Sequence, residues 1–184
     1  MADRILVTGA TGLQGGAVAR HLLKLGKAEV LCLTRHPDSE AAKTFKQLGA
    51  DVVKADFDDP ASLKPVLRGC TGVFGVTNFW EAFLREYEQG ANLIDAASET
   101  GVGHLVLSTL PSTSKISNGA ISVPVFETKA RMEEHTRLRG VPYFCSCCLL
   151  LRKFHQLFPA AEAAGRELRI RLPFGRSAAR SSGG

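Results

Sequence analysis

The spacing of glycines near the N-terminus constrains this chain more than any other feature. In VTGATGLQGG, residues 7–16, glycines stand at positions 9, 12 and 15. The segment includes the end of RILVTG, a short apolar run that predicts a strand, and it opens a run with helical spacing that stops at Gly26. A glycine-rich turn between a strand and a helix is the context in which this motif binds a dinucleotide.

Each of the three glycines has a separate physical reason. Gly9 permits the tight turn out of the strand, Gly12 lets the backbone approach a pyrophosphate, and Gly15 lets the helix pack close to the sheet. Free amides at the helix start, with the helix dipole behind them, stabilise the anion. The alternative is a glycine-rich turn that binds nothing. The strand, the helix and the βαβ unit around the motif favour nucleotide binding.

The rest of the regular part alternates strands with helices through short connections. The predicted strands are Arg4–Gly9, Glu29–Thr34, Asp51–Asp56, Gly72–Thr77, His104–Thr109 and a sixth that begins at VPY, residues 141–143. The predicted helices are Gly12–Leu25, Ser39–Leu48, Pro60–Leu67, Phe83–Glu99 and, after a polar loop, Phe126–Leu138. This order predicts an α/β protein with a Rossmann-type, doubly wound parallel sheet.

The end of the second predicted strand bears on which nucleotide binds. NAD sites usually place Asp or Glu there for the ribose hydroxyls, whereas this strand ends LTRHP, with Arg35 and His36. A guanidinium forms a charge-assisted clamp on a 2′-phosphate, which favours NADP over NAD. The alternative for Arg35 is a solvated surface arginine.

Residues just beyond the next two strands are further candidates. Ligands of such folds lie outside the carboxyl ends of the strands. We therefore expect Asp56 and Phe57 near the adenine, and Thr77, Asn78 and Phe79 near the nicotinamide ribose.

Composition narrows the remaining classes of protein. No apolar run reaches the roughly 18–20 residues of a membrane span, and the N-terminus lacks a signal-peptide core. We expect an intracellular protein of the cytoplasm, with the nucleus as a second compartment. The formal net charge of +5 lies entirely in residues 144–184, which hold seven basic and two acidic residues. A loose basic tail usually stays solvated, so we do not expect nucleic-acid binding. A regulator that acts through nucleic acid is a weaker alternative, motivated only by this tail.

Several segments together resemble the NmrA-like family, an atypical branch of the short-chain dehydrogenase/reductase superfamily. The matching pieces are VTGATGLQGG, TRHP, KADFDD, VTNFWE and FETKARMEEHTRLRGVPY, within residues 3–143. The combination with VTNFWE is most similar to the animal NmrA-like redox-sensor proteins. The resemblance implies NADP(H) binding, regulatory protein partners and little or no turnover. The cofactor contacts expected from it are Gly9, Ala10, Thr11, Gly12, Leu13, Gln14, Gly15, Arg35, His36, Asp56, Phe57, Thr77, Asn78, Phe79 and Lys129.

The catalytic tyrosine of working short-chain dehydrogenases is missing. In those enzymes a tyrosine four residues before the lysine transfers the proton, and the lysine lowers its pKa and holds the ribose. Here Val125 stands four residues before Lys129 and cannot transfer a proton. We assign no catalytic residue, and an NADPH-dependent oxidoreductase of small carbonyls or quinones is the alternative function. For Lys129, the alternative to ribose binding is a surface lysine on an amphipathic helix.

Residues 144–184 depart from the family pattern. The family continues with a segment resembling P-x-x-Y-F-E-N, whereas this chain continues FCSCCLLLRKF. Cys145, Cys147 and Cys148 lack a second ligand pair for zinc, so we expect no metal; buried thiols in a strand are another interpretation. Read one base forward, the segment is compatible with SVPAAFYYENF, so we hypothesise a frameshifted or aberrantly spliced tail. A codon series across the Tyr143 junction that cannot yield those words would end this hypothesis.

The tail hypothesis has physical consequences. We predict a Rossmann domain at residues 1–143 and a basic, mostly disordered tail at residues 144–184, with most of the C-terminal substrate lobe missing. Such a chain would be marginally stable, would bind NADP(H) more weakly, and would associate with itself or with chaperones. Whether the product is abundant or that of a pseudogene is left open by the sequence.

Overall fold

The computed structural model describes residues 3–146, which contain a single parallel sheet with helices on both faces. The strands are β1 Asp3–Val7, β2 Ala28–Thr34, β3 Asp51–Lys54, β4 Gly72–Gly75, β5 His104–Ser108 and β6 Tyr143–Ser146. The helices are α1 Leu13–Leu25, α2 Glu40–Gln47, α3 Pro60–Leu67, α4 Phe79–Ala82, α5 Glu86–Glu99, α6 Thr113–Ile116 and α7 Pro124–Arg139. The strand order is β3-β2-β1-β4-β5-β6, which confirms the predicted doubly wound fold.

Alternation along the central strands divides the core between the two faces of the sheet. In β1, Leu6 joins one buried cluster and Val7 the other, because successive side chains of a strand point to opposite faces. Ala19 of α1 and Phe45 of α2 complete the second cluster. The first cluster holds buried residues of α3, α5 and α7, including Leu63, Leu93 and Met132.

Several predicted boundaries differ from the observed ones. The predicted helix Phe83–Glu99 begins too early: Phe83 has a φ of 40° and opens a short 3-10 turn, and α5 begins only at Glu86. Apolar periodicity continues through this break because it reports side-chain pattern and not backbone dihedral angles. Four of the predicted strands also extend one or two residues beyond the observed ladders, so their last residues lie in the loops that follow.

Two short helices were not predicted. Three residues separate the helix α4 from the end of β4, and α6 lies inside the predicted polar loop. The side chain of Ser112 accepts a hydrogen bond from the amide of Lys115 at 3.1 Å and so caps α6. The helix α7 begins at Pro124 and not at Phe126, since proline costs little in a first turn.

The boundary predicted at residue 143 lies close to the end of the described part, and most of the cysteine cluster lies outside it. Residues 147–184, which include Cys147 and Cys148, are outside it. Within residues 3–146, no helix is long and apolar enough to cross a bilayer.

Candidate nucleotide-binding site

The chain reverses its direction across the sheet between β1 and β4. After β3 the chain returns to place β4 beside β1, so the connections that follow these two strands diverge to opposite faces. Such a divergence opens a crevice at the carboxyl ends of the strands, where doubly wound folds bind their ligands. The side chain of Thr8 spans this point, since its Oγ1 accepts from the amide of Val76 at 2.8 Å.

The glycine-rich loop has the geometry that its spacing predicts. Gly9 has a φ of +59°, and a Cβ there would lie 2.7 Å from the side chain of Val76. A Cβ on Gly15 would lie 2.2 Å from the carbonyl oxygen of Thr8, so only glycine permits this approach of α1 to β1. Gly12 is the N-cap of α1, in an extended conformation. The loop therefore forms a tight turn that leads directly into the helix.

The start of α1 is free to receive an anion. No side chain caps the helix, and its first turn contains no acidic residue. The amides of Leu13, Gln14 and Gly15 precede the first carbonyl that the helix can offer them. Ala10 is buried, whereas Thr11 and Leu13 are exposed. These features fit a pyrophosphate, and contact with a cofactor by these residues stays a prediction.

Gln14 links the loop to β5. Its Oε1 accepts a hydrogen bond from the hydroxyl of Ser108 at 2.8 Å, across 94 residues of sequence. Ser108 is the last residue of β5 and was not among the predicted site residues. The contact draws the end of β5 toward the start of α1.

Arg35 and His36 follow β2 directly and are exposed. The guanidinium of Arg35 donates to the carboxylate of Glu81, whose other oxygen accepts from Asn78 Nδ2 at 3.3 Å. The backbone amide of His36 donates to Thr34 Oγ1 at 3.1 Å, which fixes the turn after the strand. Arg35 is thus not simply solvated, and Glu81 is a residue that the sequence did not single out.

Asp56 and Phe57 form the turn that leads into α3. The carboxylate of Asp56 accepts from the amide of Asp58 at 3.0 Å, and its own amide donates to Ser62 Oγ at 3.0 Å. The carbonyl of Phe57 accepts from Asn92 Nδ2 at 2.8 Å. Both residues are partly exposed in a turn held by local hydrogen bonds.

Phe79 is buried and anchors the connection after β4. Its ring packs edge-on against Trp80 at 5.4 Å and against Phe83 at 5.2 Å. Trp80 and Phe83 are themselves mostly exposed. Phe79 therefore fixes α4 while its aromatic neighbours lie at the surface.

Lys129, Glu86 and Thr77 form a buried polar cluster beneath the crevice. The ammonium of Lys129 lies 2.7 Å from Glu86 Oε1 and donates to both oxygens of Thr77, at 2.5 Å and 3.0 Å. The Thr77 hydroxyl donates to the same Glu86 oxygen at 2.7 Å. Lys129 is 3% exposed, so the interpretation as a surface lysine is wrong.

The three protons of this ammonium all have acceptors within the cluster. Burial lowers the pKa of Lys129, and the neighbouring Glu86 carboxylate only partly opposes that effect. The second oxygen of Glu86 is buried without a hydrogen-bond partner among the described residues. A ribose would therefore have to replace or share one of these three contacts of Lys129, and this cofactor contact stays a prediction.

Neither tyrosine of the chain replaces the missing catalytic one. Tyr87 lies under the guanidinium of Arg131, 4.0 Å from its ring centroid, on the packed surface of α5 and α7. Tyr143 is the first residue of β6, the outermost strand, so it lies at the amino ends of the strands, whereas the crevice lies at their carboxyl ends. Its hydroxyl accepts a hydrogen bond from Arg137. The position four residues before Lys129 holds the apolar, half-buried Val125.

These features define a dinucleotide-binding Rossmann domain with a basic residue after β2. The sequence model of the NmrA-like family matches residues 1–180, so the chain belongs to that family. The match extends past residue 143, beyond the segments that carry the resemblance.

Two curated relatives are much longer than this chain. An NmrA-like family domain-containing protein of Dictyostelium discoideum is 38% identical over 161 residues, covering 86% of this chain and 53% of the relative. An NmrA-like family domain-containing oxidoreductase of Aspergillus hancockii is 37% identical over 155 residues, covering 79% and 46%. The chain thus spans about half the length of the curated relatives it matches.

A solved structure shows the same fold with a nucleotide. The triphenylmethane reductase of Citrobacter sp., complexed with NADP(H), is 26% identical and superposes with a TM-score of 0.65. The match covers 77% of this chain and 48% of the reductase. The likeness therefore concerns about half of that enzyme's chain.

Proposed function

We propose that this chain binds NADP(H) in the crevice between β1 and β4 and acts as a nucleotide-responsive regulator through protein partners. NADP(H) binding is supported by the uncapped start of α1, by Arg35 after β2, and by the NADP(H) complex of the reductase that it resembles. A guanidinium at this position favours the 2′-phosphate of NADP over the hydroxyl of NAD.

The observation that favours regulation over turnover lies around Lys129. Its ammonium is fully engaged by Glu86 and Thr77, and Val125 occupies the position of the proton-transferring tyrosine. A hydride acceptor would find no positioned proton donor at the point where these enzymes supply one.

Redox sensing would then rest on the nucleotide and not on the described thiols. Cys32 and Cys70 are free cysteines, and both are buried. Burial raises the pKa of Cys32 to about 11 and also raises that of Cys70. Since the thiolate is the reactive form, neither thiol is suited to respond to oxidants at neutral pH.

The second candidate is an NADPH-dependent oxidoreductase of small carbonyls or quinones, which the names of the Aspergillus and Citrobacter relatives favour. Following NADPH absorbance with a panel of quinones and aldehydes distinguishes the two functions. The regulator proposal expects binding without turnover above the rate of free NADPH oxidation. Turnover that is saturable in substrate and abolished by Arg35→Glu would support the oxidoreductase instead.

A further inference from the structure

The ion pair between Arg35 and Glu81 joins the turn after β2 to the helix α4. Arg35 follows β2 and Glu81 lies in α4, 46 residues further along the chain. The side chains are 45% and 51% exposed, so a ligand can reach the pair from solvent. The guanidinium that we assign to the 2′-phosphate therefore already has an anionic partner.

The carboxylate of Glu81 is held in place and kept ionised. Its Oε1 accepts from Arg35 and its Oε2 accepts from Asn78 Nδ2. Arg35 lowers the pKa of Glu81, so Glu81 is charged at neutral pH. The charges of Asp56 and Asp58 also act on Arg35, which makes this part of the crevice more acidic than a phosphate site built around Arg35 alone.

We propose that Glu81 is a specificity-determining residue, whose carboxylate competes with the 2′-phosphate of the dinucleotide for the guanidinium of Arg35. The inference rests on the proposed NADP(H) binding and concerns how that site is tuned. A 2′-phosphate must displace Glu81 from Arg35, and repulsion between the two anions adds to that cost. A 2′-hydroxyl, in contrast, can donate a hydrogen bond to the same carboxylate. Glu81 thus weakens NADP(H) binding and reduces the preference of the site for NADP(H) over NAD(H).

The test compares Glu81→Gln with the unchanged chain by isothermal titration with NADP⁺ and with NAD⁺. Glutamine keeps the shape of the side chain and removes its charge. Because Glu81 is exposed, we expect no folding defect, and thermal melting checks this. We expect the dissociation constant for NADP⁺ to fall by about three- to tenfold, the range of an exposed ion pair plus one removed repulsion. The constant for NAD⁺ should stay unchanged or rise.

A matched control is Glu99→Gln. Glu99 is also exposed and also paired with a cation, Lys64, at 2.6 Å, but it ends α5 at the opposite edge of the sheet. The substitution Glu99→Gln makes the same change of net charge as Glu81→Gln, and we expect it to leave the dissociation constants of both nucleotides unchanged.

The outcomes separate this inference from the proposed function. If the unchanged chain binds NADP⁺ and Glu81→Gln binds it no more tightly, the competition is refuted while NADP(H) binding stands. If Glu81→Gln lowers the dissociation constants of both nucleotides equally, the substitution acts through the overall charge of the site, and the specificity role is refuted. If no variant binds NADP⁺, both proposals fail.

Discussion

The ammonium of Lys129 lies 2.7 Å from the carboxylate of Glu86, and the two side chains are only 3% and 0% exposed. They join α7 to the start of α5, the two helices that pack on the same face of the sheet. Each charge compensates the other in a place that water cannot reach. The pair therefore contributes to the stability of the fold, and it does so beneath the crevice.

Removing one charge of this pair should therefore be costly. We expect Glu86→Gln to lower the free energy of unfolding by about 3–5 kcal/mol, because Lys129 keeps a buried charge without its partner. The double variant Glu86→Gln with Lys129→Met should recover part of this loss. Urea unfolding followed by circular dichroism measures the unchanged chain, Glu86→Gln, Lys129→Met and the double variant, and costs of the two single variants that simply add in the double variant would contradict the pairing.

The approach of α1 to β1 predicts a sharp difference between two glycines. Alanine at position 15 places a Cβ within 2.4 Å of two backbone carbonyl oxygens of the loop, which cannot move without opening the turn. We expect Gly15→Ala to destabilise by about 1–3 kcal/mol and to abolish nucleotide binding. Gly72→Ala is the control, since its Cβ would meet only ordinary contacts at 3.7 Å and beyond. Equal melting temperatures for the two variants would show that the loop is looser than described.

The carboxylate of Glu127 predicts a pH dependence of stability. It accepts from the hydroxyls of Ser112, Thr113 and Ser114 and from the amide of Ser114, at 2.6–2.9 Å. These hydrogen bonds, led by that of Thr113, lower its pKa from the usual 4.5 to about 2. Because the pKa is lowered in the folded state, the stabilisation is fully present above pH 4.5 and is lost as the pH falls toward 2.

Melting temperatures of the unchanged chain and of Glu127→Gln across this range test the effect. The difference in melting temperature between the two chains should be constant above about pH 5 and should shrink steadily as the solution approaches pH 2. A difference that does not change with pH would mean that the charge of Glu127 is not what holds α6.

The order of strands and helices could be predicted because short stretches of sequence, such as glycine spacings and apolar runs, determine where each element lies. The glycine spacing places the turn after β1, and the apolar runs place five of the strands within two residues of their observed ends. The break at Phe83 could not be predicted, since nothing in its neighbours requires a φ of 40°.

The candidate site was predictable only in part. Residues that follow strands, such as Arg35 and Thr77, could be placed by the rule that ligands lie beyond the strand ends. Glu81 and Glu86 could not, because the cations that they pair with are more than 40 residues away and a glutamate in a helical segment usually faces solvent. Only the folded chain shows that one lies on the guanidinium and the other beneath the crevice.

The most direct measurement is calorimetric titration of the whole chain with NADPH and with NADH. We expect NADPH to bind about tenfold more tightly than NADH, and we expect Arg35→Ala to remove this preference, whereas Arg68→Ala, at an exposed arginine away from β2, should keep it. Equal affinities for the two nucleotides, or a preference that survives Arg35→Ala, would contradict selective binding of the 2′-phosphate by Arg35.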